Sequence, residues 1–182
     1  MAETKEFTTD LAAIRKRARA QMMDGAVTTA YRADRERVLK VLNECLATEI
    51  VCVLRYRSHY YMARGIYKEP VAAEFLAHAA EEQAHADMIC ERITQLGGEP
   101  NLNPEGLAGR SHSEYRGGDT LRELIQEDLV AERIAIETYT EVIRWLGDDD
   151  STTRRMMEAI LAMEEEHAND LLDLLDRMEK SS

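Results

Sequence analysis

Apolar and polar residues alternate with a helical period in four long segments of this chain. Within each segment the apolar positions recur at steps of three and four residues, which places them on one face of a helix. Residues that favour helix starts and helix stops bound the segments. The pattern therefore predicts four helices, over about 34–64, 70–97, 120–147 and 151–180.

The segments between the predicted helices differ in length. Residues 65–69 and 147–150 are short enough to join antiparallel neighbours, whereas residues 97–119 are long, polar and rich in glycine. Two helical hairpins joined by one long crossover form one of the four-helix-bundle topologies. We therefore expect an all-α four-helix bundle domain over residues 34–182, preceded by an N-terminal extension over residues 1–33 that carries a short helix.

Each predicted helix carries a glutamate in the middle of its apolar stripe. These glutamates are Glu49, Glu82, Glu132 and Glu164, and the second and fourth begin Glu-x-x-His motifs that end at His85 and His167. An unpaired carboxylate in an apolar interior is strongly disfavoured. We therefore expect a positively charged partner to neutralise the four glutamates.

The six residues fall at one level of the predicted bundle. If residues 67 and 149 mark the middles of the two short turns, all six lie 15 to 18 residues from a turn, which is roughly 25 Å along a helix. The lone glutamate and the Glu-x-x-His motif are 33 residues apart in the first hairpin and 32 in the second. The chain thus contains two copies of one hairpin, each with the same pattern of candidate ligands.

Four carboxylates and two neutral imidazoles carry a charge of about −4, which two divalent cations match. Carboxylate and imidazole together suit iron, manganese or zinc. Di-iron and di-manganese bundles use this same ligand set on four helices. A single Glu-x-x-His on an acidic helix is more often a solvated or structural feature. Two such motifs, each with a lone glutamate at the same level, indicate a di-metal site.

Composition and charge narrow the possible partners of this 182-residue chain. Its formal net charge of −12 argues against general nucleic-acid affinity and is compatible with attracting cations. The first residues lack the apolar core of a signal peptide, and no apolar run approaches the length of a membrane span. We expect a cytoplasmic protein without a membrane partner.

Four stretches around these residues resemble the ferritin-like superfamily, specifically the bacterioferritins and their Dps-like relatives. The stretches are "LNECLATEI", "EEQAHADMICERITQLGGEPN", "EDLVAERIA" and "ILAMEEEHANDL", and the resemblance covers residues 34–178. It implies a ferritin-like bundle with a di-iron ferroxidase centre formed by Glu49, Glu82, His85, Glu132, Glu164 and His167. Glu82 and Glu164 would bridge the two irons, and Tyr56 matches a tyrosine beside the centre in bacterioferritins. The implied function is iron storage and detoxification, in which O2 or H2O2 oxidises Fe(II) within a hollow homo-oligomer.

Two departures from the bacterioferritin pattern change the expected assembly and cofactor. Gln83 stands where bacterioferritins carry the methionine that binds haem, so we expect no haem. Only fifteen residues follow His167, too few to complete the fourth helix and add the short fifth helix of 24-subunit cages. A shell of twelve subunits is therefore favoured.

Several residues near the centre have more than one interpretation. Cys45 and Cys52 flank Glu49, and Cys90 is expected to lie closest to Cys45. Cysteines near the centre of Dps-like relatives suggest a redox role, but packing of small thiols in the core is favoured. Asp128 is either an acceptor for a ligand histidine or a capped or partly solvated polar residue. His78 is more often a hydrogen-bonded core histidine than an auxiliary ligand.

Two other functions remain open. A di-iron peroxidase of the rubrerythrin type uses the same ligands, but it usually carries an iron–sulfur module and no Cys-x-x-Cys pair is present. A DNA-protecting shell is suggested by Arg15, Lys16, Arg17 and Arg19. We favour instead an amphipathic helix that packs Leu11, Ile14 and Met22 against its own or a neighbouring subunit.

Overall fold

The computed structural model describes residues 9–66 and 68–180, so Tyr67, the predicted middle of the first turn, lies outside the described residues. The described part contains helices and no strand, which confirms the all-α prediction. The helices are α1 Leu11–Ala20, α2 Arg35–Met62, α3 Lys68–Gln95, α4 Leu107–Arg110, α5 Leu121–Leu146 and α6 Ser151–Lys180. None of these helices is both long enough and apolar enough to cross a membrane.

The ends of the long helices follow from local chemistry. The Asp34 side chain accepts a hydrogen bond from the backbone N–H of Arg37, and Thr120 and Glu123 form a complete capping box at the start of α5. Helix α3 begins two residues before Pro70, its predicted start. Proline is tolerated there because the N–H groups of a first helical turn have no partner within the helix.

The helices pair as two hairpins, α2 with α3 and α5 with α6, and the crossover between them includes α4 against α2. The short helix α4 was not predicted. Asn43 of α2 fixes the start of the crossover, because its Oδ1 accepts from the backbone N–H of Asn101 at 2.7 Å. The long crossover carries the chain from the first hairpin to the second, as predicted.

The apolar core is divided into two clusters, one toward each end of the bundle. One cluster includes Leu42, Ile89, Ile93, Met157 and Ile160. The other includes Val71, Phe75, Ile125, Leu171 and Leu174. The predicted acidic residues lie between these sequence positions on every helix, so well-packed apolar ends hold a polar layer in the middle.

The N-terminal extension contacts the bundle through its last residues. Val27 and Tyr31 pack on the core, and the Tyr31 hydroxyl donates to Asp150 at 2.9 Å. Helix α1 buries none of its residues. The expectation that the apolar side chains of α1 and of the turn after it pack on their own chain is therefore wrong: Leu11, Ile14 and Met22 are 57%, 42% and 78% exposed.

The charge pattern of α1 gives the physical reason. Four basic residues within six narrow the apolar face of α1, and its own chain leaves that face uncovered. Packing of α1 against a neighbouring subunit stays a prediction. The four basic side chains are exposed, so the DNA-binding alternative also stays open.

Candidate metal centre

The six predicted ligands lie together in the buried middle of the bundle. Glu49 comes from α2, Glu82 and His85 from α3, Glu132 from α5, and Glu164 and His167 from α6. Each is at most 4% exposed. Each helix contributes its side chain from the core stripe, in the layer that separates the two apolar clusters.

His85 faces three carboxylates. Its Nδ1 lies 3.1 Å from Glu164 Oε1, 3.5 Å from Glu49 Oε2 and 3.6 Å from Glu82 Oε2. Ligand atoms of these four residues lie within 4.8 Å of one another. Three carboxylate oxygens and an imidazole nitrogen around one point form a donor set suited to a first-row divalent metal.

His167 forms an equivalent set on the other side. Its Nδ1 lies 3.4 Å from Glu82 Oε1 and 3.5 Å from Glu164 Oε2, and Glu132 completes the group. Glu82 and Glu164 therefore belong to both sets, and each turns one oxygen toward each histidine. A carboxylate with this geometry is able to bridge two metal ions.

The hydrogen bonding of the six residues fits a pair of metal ions. Among the described residues, nine buried side-chain N or O atoms have no hydrogen-bond partner, and seven of them belong to these six residues. They are Glu49 Oε2, Glu82 Oε1, His85 Nδ1, Glu132 Oε2, both carboxylate oxygens of Glu164, and His167 Nδ1. Buried polar atoms are normally satisfied, so this concentration of lone pairs points to cations as their partners.

Burial and mutual repulsion favour the protonated form of Glu49 and Glu132, the two carboxylates that belong to only one donor set. Burial, reinforced by the nearby Glu82, raises the pKa of Glu49 to about 8. Burial together with Glu82 and Glu164 holds the pKa of Glu132 well above its usual range. Burial also opposes ionisation of Glu82, but its close contacts with Glu49, His167 and His85 lower its pKa overall.

The two histidines respond in the opposite direction. Burial favours the neutral imidazole, but the carboxylates that face each ring outweigh it and raise the pKa of His85 to about 12 and of His167 to about 11. In the absence of metal, protons thus supply the positive charge that four carboxylates require. A metal ion that binds here displaces those protons.

Two tyrosines hydrogen-bond to the glutamates of the centre. Tyr56 donates its hydroxyl hydrogen bond to Glu132 Oε1, and Tyr139 donates to Glu49 Oε1. Tyr56 was predicted beside the centre, whereas Tyr139 was missed. The internal repeat contained the signal, because Tyr139 follows Glu132 by seven residues just as Tyr56 follows Glu49.

Asp128 does not serve the centre as predicted. It is fully buried, and its carboxylate accepts from Arg55 Nε at 2.9 Å and lies 2.8 Å from His59 Nδ1. Neither partner is a predicted ligand, so Asp128 does not accept from a ligand histidine, and its burial rules out a partly solvated residue. The reason is the crossover: Arg55 and His59 also reach the backbone oxygens of Glu114 and Arg116, which seals Asp128 from solvent.

The outer nitrogen of His167 and the ring of His78 adjoin the centre. His167 Nε2 lies 2.9 Å from Glu81 Oε2, a contact that orients the imidazole. His78 is buried, stacks on His167 with ring centroids 4.1 Å apart, and places Nδ1 3.2 Å from the Tyr56 oxygen. The favoured interpretation of His78 as a hydrogen-bonded core histidine agrees with this contact.

The three cysteines are free thiols in this structure. Cys45 and Cys52 are buried, and burial raises the pKa of both thiols, which lowers their reactivity. Cys52 accepts a hydrogen bond from Arg55 Nη2 at 3.3 Å. Packing in the core accounts for Cys45 and Cys52, and the redox role stays untested.

Comparison with known proteins shows which family the chain belongs to. A family model described as the ferritin-like domain matches residues 39–181. This chain belongs to the ferritin family. Bacterioferritin from Mycobacterium avium is 33% identical over 144 residues, which are 79% of this chain and 86% of the relative. Bacterioferritin from Desulfovibrio desulfuricans is 29% identical over 138 residues, 75% of this chain and 73% of the relative.

Solved structures of ferritin-like proteins share the fold. A dodecameric thioferritin from Bacteroides fragilis superimposes with a TM-score of 0.78 at 32% identity, covering 82% of this ferritin-like chain and 92% of the other. Dps from Thermosynechococcus elongatus superimposes with a TM-score of 0.74 at 20% identity, covering 77% and 90%. The second likeness concerns the fold alone. The ferritin-like four-helix bundle expected from the sequence is confirmed.

Proposed function

We propose that this protein oxidises Fe(II) to Fe(III) at an intrasubunit di-iron centre and stores the iron within a hollow homo-oligomer. One observation carries the proposal: two overlapping four-residue donor sets, each with one histidine, share Glu82 and Glu164 and are rich in unpartnered buried lone pairs. The bacterioferritin relatives support iron as the metal.

Fe(II) is the substrate, and each ion gives up one electron. Two Fe(II) reduce one H2O2 to two H2O, or one O2 to one H2O2, and in either case two protons are taken up and two Fe(III) are formed. Holding the ions as a pair supplies both electrons in a single encounter with the oxidant, so that no hydroxyl radical is released.

The side chains divide the work between the two ions. Glu49 and His85 hold the first ion, Glu132 and His167 hold the second, and Glu82 and Glu164 bridge them. Four carboxylates against two divalent ions leave the buried layer near neutrality, which removes the cost of burying the acids.

The tyrosines and Glu81 position the ligands. Tyr56 and Tyr139 each engage one oxygen of a terminal glutamate, which leaves the other oxygen free to bind iron. Glu81 accepts from the outer nitrogen of His167, which keeps Nδ1 as the ligand atom.

A shell of twelve subunits is the proposed assembly. The Bacteroides fragilis thioferritin is dodecameric, and its similarity covers 82% of the present chain. Light scattering on a size-exclusion column is expected to give twelve copies of the 20.7 kDa chain.

Two substitutions test the location of the centre. Glu132→Ala and His167→Ala are expected to abolish fast Fe(II) oxidation while the assembly keeps its helix content and size. Glu166→Gln is the matched control, because Glu166 is an exposed neighbour of His167 on α6. Undiminished oxidation in either alanine variant would place the chemistry elsewhere.

A further inference from the structure

Two carboxylates outside the six-residue centre face the remaining nitrogen of His78. Glu74 Oε1 lies 3.4 Å and Asp170 Oδ2 lies 3.9 Å from His78 Nε2. Glu74 and His78 are on α3, and Asp170 is on α6. Both carboxylates are partly exposed, whereas the histidine side chain is 2% exposed. The cluster therefore connects solvent with the buried layer.

The hydrogen bonds of His78 show what this nitrogen presents to the carboxylates. Tyr56 uses its own proton on Glu132, so the Tyr56 oxygen accepts at 3.2 Å from His78 Nδ1–H. A neutral His78 then keeps a lone pair on Nε2. That atom is buried and has no hydrogen-bond partner. A lone pair aimed at two carboxylates is unfavourable, and a cation bound between the three groups removes the repulsion.

We propose that Glu74, His78 and Asp170 form a third binding site, for one divalent first-row cation, beside the di-iron centre. Ligand atoms of the three residues lie within 4.8 Å of one another. One imidazole nitrogen and two carboxylates suit Fe(II), Mn(II), Co(II) or Zn(II). The exposed side leaves room for water to complete the coordination.

The site is separated from the centre by one side chain. On the opposite edge of His78, Nδ1 hydrogen-bonds to Tyr56, which itself donates to the ligand Glu132. The His78 ring stacks on the ring of the ligand His167. An Fe(II) ion at Glu74 and Asp170 is thus held directly outside the second half of the centre. We assign the site the role of a staging position for incoming Fe(II); this role rests on the proposed ferroxidase function, whereas cation binding does not.

Counting bound Co(II) tests the site, because Co(II) prefers the same ligands and is not oxidised during the measurement. Metal-free assembly is dialysed against Co(II), and bound metal per chain is measured. The double variant Glu74→Gln/Asp170→Asn is expected to bind one Co(II) fewer per chain than the unaltered protein. An unchanged count would overturn the proposal.

A matched pair of substitutions separates ligation from simple loss of charge. Glu91→Gln/Asp176→Asn removes one exposed carboxylate from each of the same two helices and is expected to leave the count unchanged. His78→Gln is expected to lose the same ion as the carboxylate pair. Retention of that ion in His78→Gln would reduce the site to a diffuse acidic surface and would also overturn the proposal.

The staging role and the ferroxidase function fail in different ways. In a Glu49→Gln/Glu132→Gln background, which disables the centre, Glu74→Gln/Asp170→Asn should still remove one Co(II). With an intact centre, the same pair should slow oxidation about tenfold at limiting Fe(II), where electrostatic capture matters, and leave the saturated rate unchanged. Loss of the ion without any effect at limiting Fe(II) would contradict the staging role alone.

Discussion

Tyr139 of α5 donates a hydrogen bond to Glu49 of α2, a residue 90 positions earlier in the chain. The reciprocal bond runs from Tyr56 of α2 to Glu132 of α5. Each hairpin therefore supplies a lone glutamate and also the tyrosine that orients the lone glutamate of the other hairpin. The two halves of the repeat complete each other, and neither builds its half of the centre alone.

Removing either hydroxyl should impair the centre without unfolding the bundle. Tyr56→Phe and Tyr139→Phe leave a glutamate oxygen without its donor, and loss of such an orienting partner costs about 10–100-fold in activity or metal affinity. We expect initial Fe(II) oxidation rates to fall by that factor in both variants. Tyr61→Phe, at an exposed position of α2, is the control. Equal rates in all three variants would show that the hydroxyls do not orient the ligands.

Metal binding should release protons at pH 7. The pKa values of Glu49, His85 and His167 are about 8, 12 and 11 in the metal-free centre, so all three carry protons at pH 7. Ligation requires their loss and that of any proton on Glu132, whose pKa is also raised, so at least about three protons leave per chain. Calorimetric titration with Zn(II) in buffers of different ionisation enthalpy measures this number. Heats that do not depend on the buffer would contradict the predicted protonation.

The metal-free protein should lose stability between pH 6 and pH 8. The folded-state pKa of Glu49 is raised, so the folded state binds more protons than the unfolded state in this range, and stability falls as pH rises. The raised pKa values of His85 and His167 act in the same direction above the ordinary histidine pKa.

Thermal unfolding of the metal-free assembly at pH 6 and pH 8 checks this trend. Each fully titrating group changes the stability by about 1.4 kcal/mol per pH unit at most. Excess Zn(II) should abolish or reverse the trend, because bound metal replaces the protons. A metal-free protein that is more stable at pH 8 would contradict the assigned shifts.

Asp128 is expected to matter for stability. Asp128→Ala leaves the buried Arg55 guanidinium without its carboxylate, and breaking a buried ion pair in this way costs about 3–5 kcal/mol. For a chain of this size that corresponds to a decrease in Tm of about 6–20 °C. Scanning calorimetry at fixed metal content measures it, with Asp119→Ala at the exposed end of the crossover as the control. A similar Tm for the two variants would contradict the structural role of Asp128.

The repeat made much of this arrangement predictable from the sequence. Helical periodicity and the distance from the short turns placed Glu49, Glu132 and the two Glu-x-x-His motifs at one level, because helix geometry converts residue counts into heights. The same repeat also contained Tyr139, which was overlooked because its stripe neighbours made it an ordinary core aromatic.

The remaining contacts depend on segments without periodicity. Arg55 and His59 meet Asp128 only because the crossover covers them, and no local pattern encodes the path of a long polar loop. The unpacked α1 was also missed, because an amphipathic pattern shows that a helix has an apolar face and not what covers it.

Titration of the metal-free assembly with Fe(II), following iron oxidised and iron retained per chain, tests the central claim most directly. We predict a fast phase that consumes about two Fe(II) per chain, as one di-iron centre requires, followed by retention of iron far beyond that number. Retention that stops near two ions, with catalytic turnover of peroxide, would contradict iron storage and identify the protein as a di-iron peroxidase.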